Sequence, residues 1–186
     1  MDEKINYFFL AFGKMSLRCL EGLIEKKQPP KLVVTHLNYE VNKYSNTFYA
    51  DIETTCRNNL IDFYRVNNLN ELKDYLKKYD LGICVGYMEI IRKEIFNIPK
   101  YGIFNLHCGK LPFYRGRAPI SRAIMNNDDK VIMSLHKIDE GVDSGDLYNE
   151  FEFPILDIDD VNTLYEKCEE FSPDIIIDFL NRINLN

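Results

Sequence analysis

Short apolar runs alternate with stretches of helical spacing along most of the chain. Ile5 to Ala11 is an aromatic-rich apolar run and predicts a buried strand. Gly13 breaks it. Leu17, Leu20 and Ile24, joined by Cys19 and Leu23, then recur at three- and four-residue spacing. That pattern predicts an amphipathic helix over Ser16 to Lys27, stopped by Pro29 and Pro30. Leu32 to Leu37 reads as a second strand. A strand–helix–strand unit of about thirty residues is the signature of a parallel pair. Residues 38–46 read as an exposed loop, and Phe48, Ile52 and Cys56 mark one face of the next helix.

The same alternation continues. Leu60 to Val66 predicts a strand, with Asn70 as N-cap of a helix over Glu71 to Tyr79. Leu81 to Tyr87 and Ile103 to His107 predict two more buried strands. Pro119 suits the first turn of a helix running to Met125. Val131 to Ile138 and Leu147 to Ile155 predict a final pair of strands. Asp157 to Asp160 can cap a last helix, which Pro173 should kink or split. The expected architecture is a three-layer α/β fold with a mostly parallel, Rossmann-like sheet. In such sheets ligands bind at the carboxyl ends of strands. The loops after Leu10, Val85, His107 and Ile138 are therefore the places to look for chemistry.

Size and charge narrow this. At 186 residues and 21.9 kDa, the chain fits one domain spanning 1–186. Its net charge is −6 and its pI about 5.2, which argues against nucleic acid as a partner. Five cysteines, at 19, 56, 84, 108 and 168, form no C-x-x-C pair and predict free buried thiols, not disulfides or a metal site. The N-terminus carries no basic n-region, and no apolar run reaches the ~18 residues of a membrane span. The expectation is a cytoplasmic domain with no membrane partner and no metal.

The loop after the first strand, Ala11 to Ser16, holds a single glycine. Neither a dinucleotide fingerprint nor a P-loop is present there. Lys14 is either a contact for a substrate phosphate or a solvated surface group.

Residues 101–119 are the densest segment. Asn105 and His107 lie two apart on a predicted strand, so they share a face. An amide can stabilise a developing oxyanion, and an imidazole can move a proton near neutral pH. The alternative is a polar pair that merely closes a strand end. The loop Asp139 to Asp146 combines four carboxylates with two glycines but lacks calcium-loop spacing. One of its carboxylates beside His107 would orient the ring and hold its charge. Spacing alone does not choose among Asp139, Asp143 and Asp146.

Asn105-Leu106-His107, followed by Leu111-Pro112-Phe113-Tyr114-Arg115-Gly116 and Pro119, resembles the N-x-H-x-S-L-L-P-x-Y-R-G signature of the folate-dependent formyltransferases. Ile138 to Asp146 resembles their second signature, D-x-G-x-D-x-G-D, and Val85 to Ile91 resembles the segment whose backbone holds the pterin. The likeness covers nearly the whole chain, including Asp159 to Tyr165. It departs where the family's Ser-Leu-Leu-Pro stands here as Gly109-Lys110-Leu111-Pro112, and where the family's Thr-Gly stands as Val131-Ile132.

The resemblance implies a formyltransferase that uses N10-formyltetrahydrofolate as co-substrate. It implies Asn105, His107 and Asp143 as the catalytic trio. It places the pterin against Met88, Glu89, Ile90 and Ile91 and against Asp139, Glu140, Gly141 and Val142, with apolar contacts from Tyr87 and Ile103. Among family acceptors, the Tyr114-Arg115-Gly116 form with His136 before Asp139-Glu140-Gly141 is closest to enzymes acting on nucleotide-linked amino sugars. Glycinamide ribonucleotide, methionyl-tRNA and a peptide-synthetase amino acid are the alternatives. A non-catalytic folate-binding module is a further one. Lys110 is either substrate-facing or exposed at a turn, and His136 is either a further site residue or a structural one. A homodimer, or a place within a longer protein, is compatible with all of this.

Overall fold

The computed structural model describes residues 5–37 and 45–183. Among them seven strands form one sheet in the order β3-β2-β1-β4-β5-β6-β7. The strands are β1 (Tyr7–Ala11), β2 (Leu32–His36), β3 (Asp62–Val66), β4 (Leu81–Val85), β5 (Ile103–His107), β6 (Lys130–Lys137) and β7 (Leu147–Pro154). The first five pair in parallel, and β6 and β7 are antiparallel additions. The helices are α1 (Gly13–Glu25), α2 (Ser45–Asn58), α3 (Lys73–Leu76), α4 (Lys93–Phe96), α5 (Pro119–Met125) and α6 (Val161–Ile183).

Side-chain alternation divides β1 between two cores. Tyr7, Phe9 and Ala11 pack with α1, α2 and α6 on one face. Phe8 and Leu10 pack with Leu76, Ile95 and Phe96 of α3 and α4 on the other. β5 and β6 alternate in the same way. Phe104, Leu106, Val131, Met133 and Leu135 turn into the first core. Ile103 joins the second core, and Asn105, His107, Ser134 and His136 share its face by the period-2 rule. The polar side chains of β5 and β6 therefore gather on one side of the sheet.

The strand predictions over 5–11, 32–37, 81–87, 103–107, 131–138 and 147–155 hold to within two residues at each end. Three local expectations change. Leu60 is not in a strand: its φ is +56° and it is almost fully exposed, so it belongs to the turn before β3. Asn68, not Asn70, is the cap. Its side chain accepts from the Asn70 amide at 2.9 Å, and Glu71 accepts from the Asn67 and Asn68 amides, a capping box. It opens a 3₁₀ turn, Leu69–Leu72, that leads into the short α3, where one helix over 71–79 was expected.

Pro173 does not split α6, which runs through it. The proline removes the amide that would bond the Glu169 carbonyl, and the Ser172 hydroxyl donates to that carbonyl instead at 2.9 Å. Asp160 caps this helix as expected, accepting from the amides of Asn162 and Thr163. Residues 38–44 of the predicted loop lie outside the described residues, whereas 45 and 46 already belong to α2. The side chain of Phe48 also lies outside the described part. The five cysteines are free and buried.

Candidate active site

Antiparallel register sets Asn105 opposite His136 and His107 opposite Ser134. Four polar side chains thus form a square on one face. The loop after β6 returns Asp143 over this square. Its Oδ1 lies 3.4 Å from Asn105 Nδ2 and 3.3 Å from His136 Nε2, and its Oδ2 lies 3.6 Å from His107 Nδ1. The Gly116 amide donates to Oδ2 at 2.8 Å, and Arg115 Nε donates to the Asp143 carbonyl at 3.0 Å. Asp143 takes a φ of +46°, a left-handed conformation that aspartate tolerates better than most residues. Of the three loop carboxylates left open by spacing, Asp143 is the one that meets Asn105 and His107. Asp139 instead accepts from Ser144 and the Gly141 amide, which shapes the loop.

Hydrogen-bond partners fix the proton positions. His107 Nε2 lies 2.7 Å from the Tyr114 carbonyl, which can only accept, so Nε2 carries a proton. The Nδ1 lone pair then faces Asp143. Burial is the main influence on His107 and pushes its pKa below the ordinary histidine value, against the attraction of Asp143. The ring is therefore neutral near pH 7, with Nδ1 open as a base. Burial raises the Asp143 pKa. The neighbouring His136 and His107 rings and the Gly116 amide outweigh it and hold the carboxyl below its usual range. His136 Nδ1 lies 3.0 Å from the Lys137 carbonyl and so carries a proton, leaving Nε2 to accept from Asn105 Nδ2 at 3.1 Å. His136 is thereby the support of Asn105.

These pKa directions fix a stability trend. A histidine whose folded pKa is lowered binds fewer protons in the native state than in the unfolded chain. Stability therefore falls as pH drops below about 6.5, the unfolded value. Asp143 adds a second loss as pH falls past its depressed pKa. We expect thermal midpoints to decline on acidification from pH 7, and His107→Asn to flatten the part of that decline between pH 6.5 and the depressed His107 pKa. Calorimetry across that range checks it.

Ser134, buried in β6, donates to the Gly109 carbonyl at 2.9 Å and accepts from the Leu111 amide at 3.2 Å. It pins the loop that follows His107. Gly109 itself has no room for a side chain. A Cβ there would sit 2.6 Å from Pro119 Cβ and 3.0 Å from both His107 Nε2 and Tyr114 Cβ. Gly109→Ser, which writes the family signature into this chain, is thus expected to destabilise by ~1–3 kcal/mol through overpacking. It should also weaken the His107–Tyr114 hydrogen bond. Urea unfolding and histidine NMR report the two effects.

The remaining predicted residues flank this centre. From Gly86 to Arg92 the chain is neither helix nor strand, so its backbone polar groups are outside any ladder. A cavity of about 530 Å3 opens there, lined by Asn68, Glu89, Ile90, Arg92 and Glu140 among others. Met88, Ile90 and Val142 expose apolar side chains, whereas Ile103 is fully buried and Ile91 nearly so. Tyr87 and Glu89 stand 3.4 Å apart, Glu89 also pairs with His36 of β2, and Glu140 pairs with Lys93. Irregular backbone beside exposed apolar side chains fits a flat heterocycle with donor and acceptor edges.

Lys110 lies 5.4 Å from the Phe113 ring and lines a second cavity of about 480 Å3. Lys14 is not brought to the trio. Its ammonium pairs with Glu169 at 3.0 Å and Glu166 at 3.7 Å on α6. Among the described residues, no group of His, Cys, Asp and Glu is arranged to hold a metal, and no helix is long and apolar enough to cross a membrane.

Asn105, His107 and Asp143 thus bring an amide, an imidazole and a carboxylate together at the end of an α/β sheet. The family model for formyl transferases matches residues 19–180, and the chain belongs to that family. Methionyl-tRNA formyltransferase of Caldicellulosiruptor saccharolyticus is 32% identical over 97% of this chain, which spans 60% of that relative's length. The glycinamide ribonucleotide transformylase 1 structure from Symbiobacterium toebii has the same fold, with a TM-score of 0.81 at 17% identity over 99% of this chain and 89% of its own. An N-formyltransferase from Helicobacter canadensis, solved with folinic acid and dTDP-3-aminofucose, aligns with a TM-score of 0.73 at 24% identity. That alignment covers 96% of this chain and 64% of the other.

Proposed function

We propose that this chain transfers the formyl group of N10-formyltetrahydrofolate to a primary amine, with Asn105, His107 and Asp143 as catalytic residues. The observation that carries the reading is His107, held at Nε2 by the Tyr114 carbonyl at 2.7 Å with its Nδ1 3.6 Å from the Asp143 carboxylate. The acceptor nitrogen attacks the formyl carbon and gives up a proton to His107 Nδ1. The imidazolium so formed faces Asp143 Oδ2, which stabilises its charge. As negative charge grows on the formyl oxygen, Asn105 Nδ2 donates to it. Its 3.4 Å contact with Asp143 is the weaker of its two and is the one exchanged. When the bond from carbon to folate N10 breaks, that nitrogen takes the proton back through His107. The folate ring lies against the backbone of residues 87–91 and 139–142, with Met88, Ile90 and Val142 covering it.

The acceptor is a nucleotide-linked amino sugar. The acidic chain and the Tyr114-Arg115-Gly116 and His136 pattern favour it, and the Helicobacter canadensis protein offers a precedent for that ligand class on this fold. A second reading, the aminoacyl end of a tRNA, draws on the Caldicellulosiruptor relative. Lys110, Arg115, Arg117 and Arg122 also fall in one stretch without an acidic residue. Both acceptors carry phosphate, and Lys110 at the second cavity suits either. Mass spectrometry of products from parallel incubations with a dTDP-amino sugar and with methionyl-tRNA separates them. Formylation of the sugar alone supports the first reading, and formylation of the tRNA alone replaces it with the second. A cytoplasmic location, where reduced folates and both acceptors occur, belongs to the same proposal.

A further inference from the structure

The turn from Tyr114 to Gly116 serves both halves of the acid–base pair through its backbone. The Tyr114 carbonyl holds His107 Nε2, and the Gly116 amide holds Asp143 Oδ2. The turn has no helix or strand of its own, and Gly116 sits at φ +81°. Arg122, on α5, reaches back to it. Its Nη2 donates to the Arg115 carbonyl at 2.5 Å, between the two functional backbone groups, and its guanidinium lies 5.5 Å from the centre of the Tyr114 ring.

We propose that Arg122 is a positioning residue, which sets the His107 tautomer and the Asp143 carboxylate by clamping the Tyr114–Gly116 turn. The role rests on the formyl-transfer reading for its kinetic consequence, but its structural consequence is independent of activity. A planar guanidinium can meet a carbonyl and lie over a ring at once, whereas an ammonium is a single point charge. The Tyr114 hydroxyl is tied separately, to Asp128 at 2.6 Å and to Asn126 at 2.9 Å. Those bonds anchor the side chain at its far end and leave the carbonyl to be aimed by the backbone. Arg122 also acts on His107 by charge. The groups that face the His107 ring are Asp143 from the β6–β7 loop, His136 from β6, Arg122 from α5 and the Tyr114 carbonyl. Asp143 and the carbonyl favour the protonated ring, and Arg122 and His136 oppose it. The clamp thus keeps Nδ1 unprotonated and aimed.

The test compares the intact protein with Arg122→Met and Arg122→Lys by NMR of labelled histidine, steady-state formyl transfer and thermal unfolding. Met should raise the pH at which His107 titrates, reduce its Nε2–H tautomer and lower kcat by ~10-fold or more, with KM for the formyl donor within about 2-fold. Lys should leave the His107 titration near that of the parent but still lower kcat. A folded Met variant whose His107 tautomer and titration match the parent overturns the proposal. If Met does not fold, Lys decides. A reduced Nε2–H tautomer with charge retained supports the clamp, and an unchanged tautomer and rate overturn it. If the parent transfers no formyl group while the His107 signals still respond to Met, the transfer reading fails and the clamp stands.

Discussion

Replacing His107 with asparagine is expected to lower kcat for formyl transfer by ~10²–10⁴-fold, the usual worth of a positioned general base. Asparagine approximates the ring in width and offers an amide hydrogen to the Tyr114 carbonyl, yet it has no titratable nitrogen to face Asp143. KM for the formyl donor should change little, because the proposed folate cradle at 87–91 and 139–142 does not include the ring. The pH profile sharpens the expectation. Burial holds the His107 pKa below the ordinary histidine value, so the acid limb of kcat/KM should lie below pH 6.5. That limb should vanish in the asparagine variant. A parent enzyme whose rate still climbs well above pH 6.5 would show that the base is some other group.

Asn105→Ala is the second large effect, with an expected loss of ~10²–10³-fold in kcat, or about 3–4 kcal/mol of transition-state stabilisation. The amide is placed by β5 and held by His136 Nε2 at 3.1 Å. Its loss also removes a donor to Asp143, so the carboxylate should become easier to protonate. Asn105→Asp distinguishes the two roles. It keeps the shape and removes the donor, and it sets a second carboxylate beside Asp143, where like charges raise a pKa. Aspartate should be at least as inactive as alanine and less stable above pH 5. Single-turnover kinetics with prebound formyl donor reads the chemical step directly. A rate in Asn105→Ala within about 3-fold of the parent would remove the oxyanion role, given the magnitude a single donor normally carries.

Much of the fold was legible because its strands obey simple periods. β5 was read to the residue, since Ile103, Phe104 and Leu106 are apolar and Pro99 and Gly102 mark its start. The misread region, 60–79, is where short elements compete. Asn68 and Asn70 are equally good caps on paper, and the reciprocal bond from Glu71 decides for Asn68. At Pro173 the local rule is overridden by Ser172 one residue earlier and by tertiary packing, because Gly22 of α1 leaves room directly against the proline ring.

The site was legible as side chains and illegible as backbone. Asn105 and His107 follow from the strand period. The choice of Asp143 over its neighbours came from family resemblance, and its contacts agree with it. What sequence reading missed is the Tyr114 carbonyl, the Gly116 amide, and Ser134 and Arg122 behind them. Carbonyls and amides have no letter in a sequence. Ser134 did leave a trace, since an antiparallel β5–β6 pair places it opposite His107, but that register is known only once the strands are paired. The first loop left Lys14 open between a phosphate contact and a solvated surface group, and in the fold it pairs with Glu166 and Glu169 of α6.

The proposed role of Asn105, His107 and Asp143 is to move a formyl group from folate to an amine. The most direct measurement is product mass spectrometry with coupled detection of tetrahydrofolate, using N10-formyltetrahydrofolate and a panel of nucleotide-linked amino sugars, glycinamide ribonucleotide and methionyl-tRNA. One acceptor should gain a formyl group, with one tetrahydrofolate released per product and both signals lost in Asn105→Ala. Folate-dependent formylation of none of these amines, or formylation that Asn105→Ala leaves intact, would contradict it.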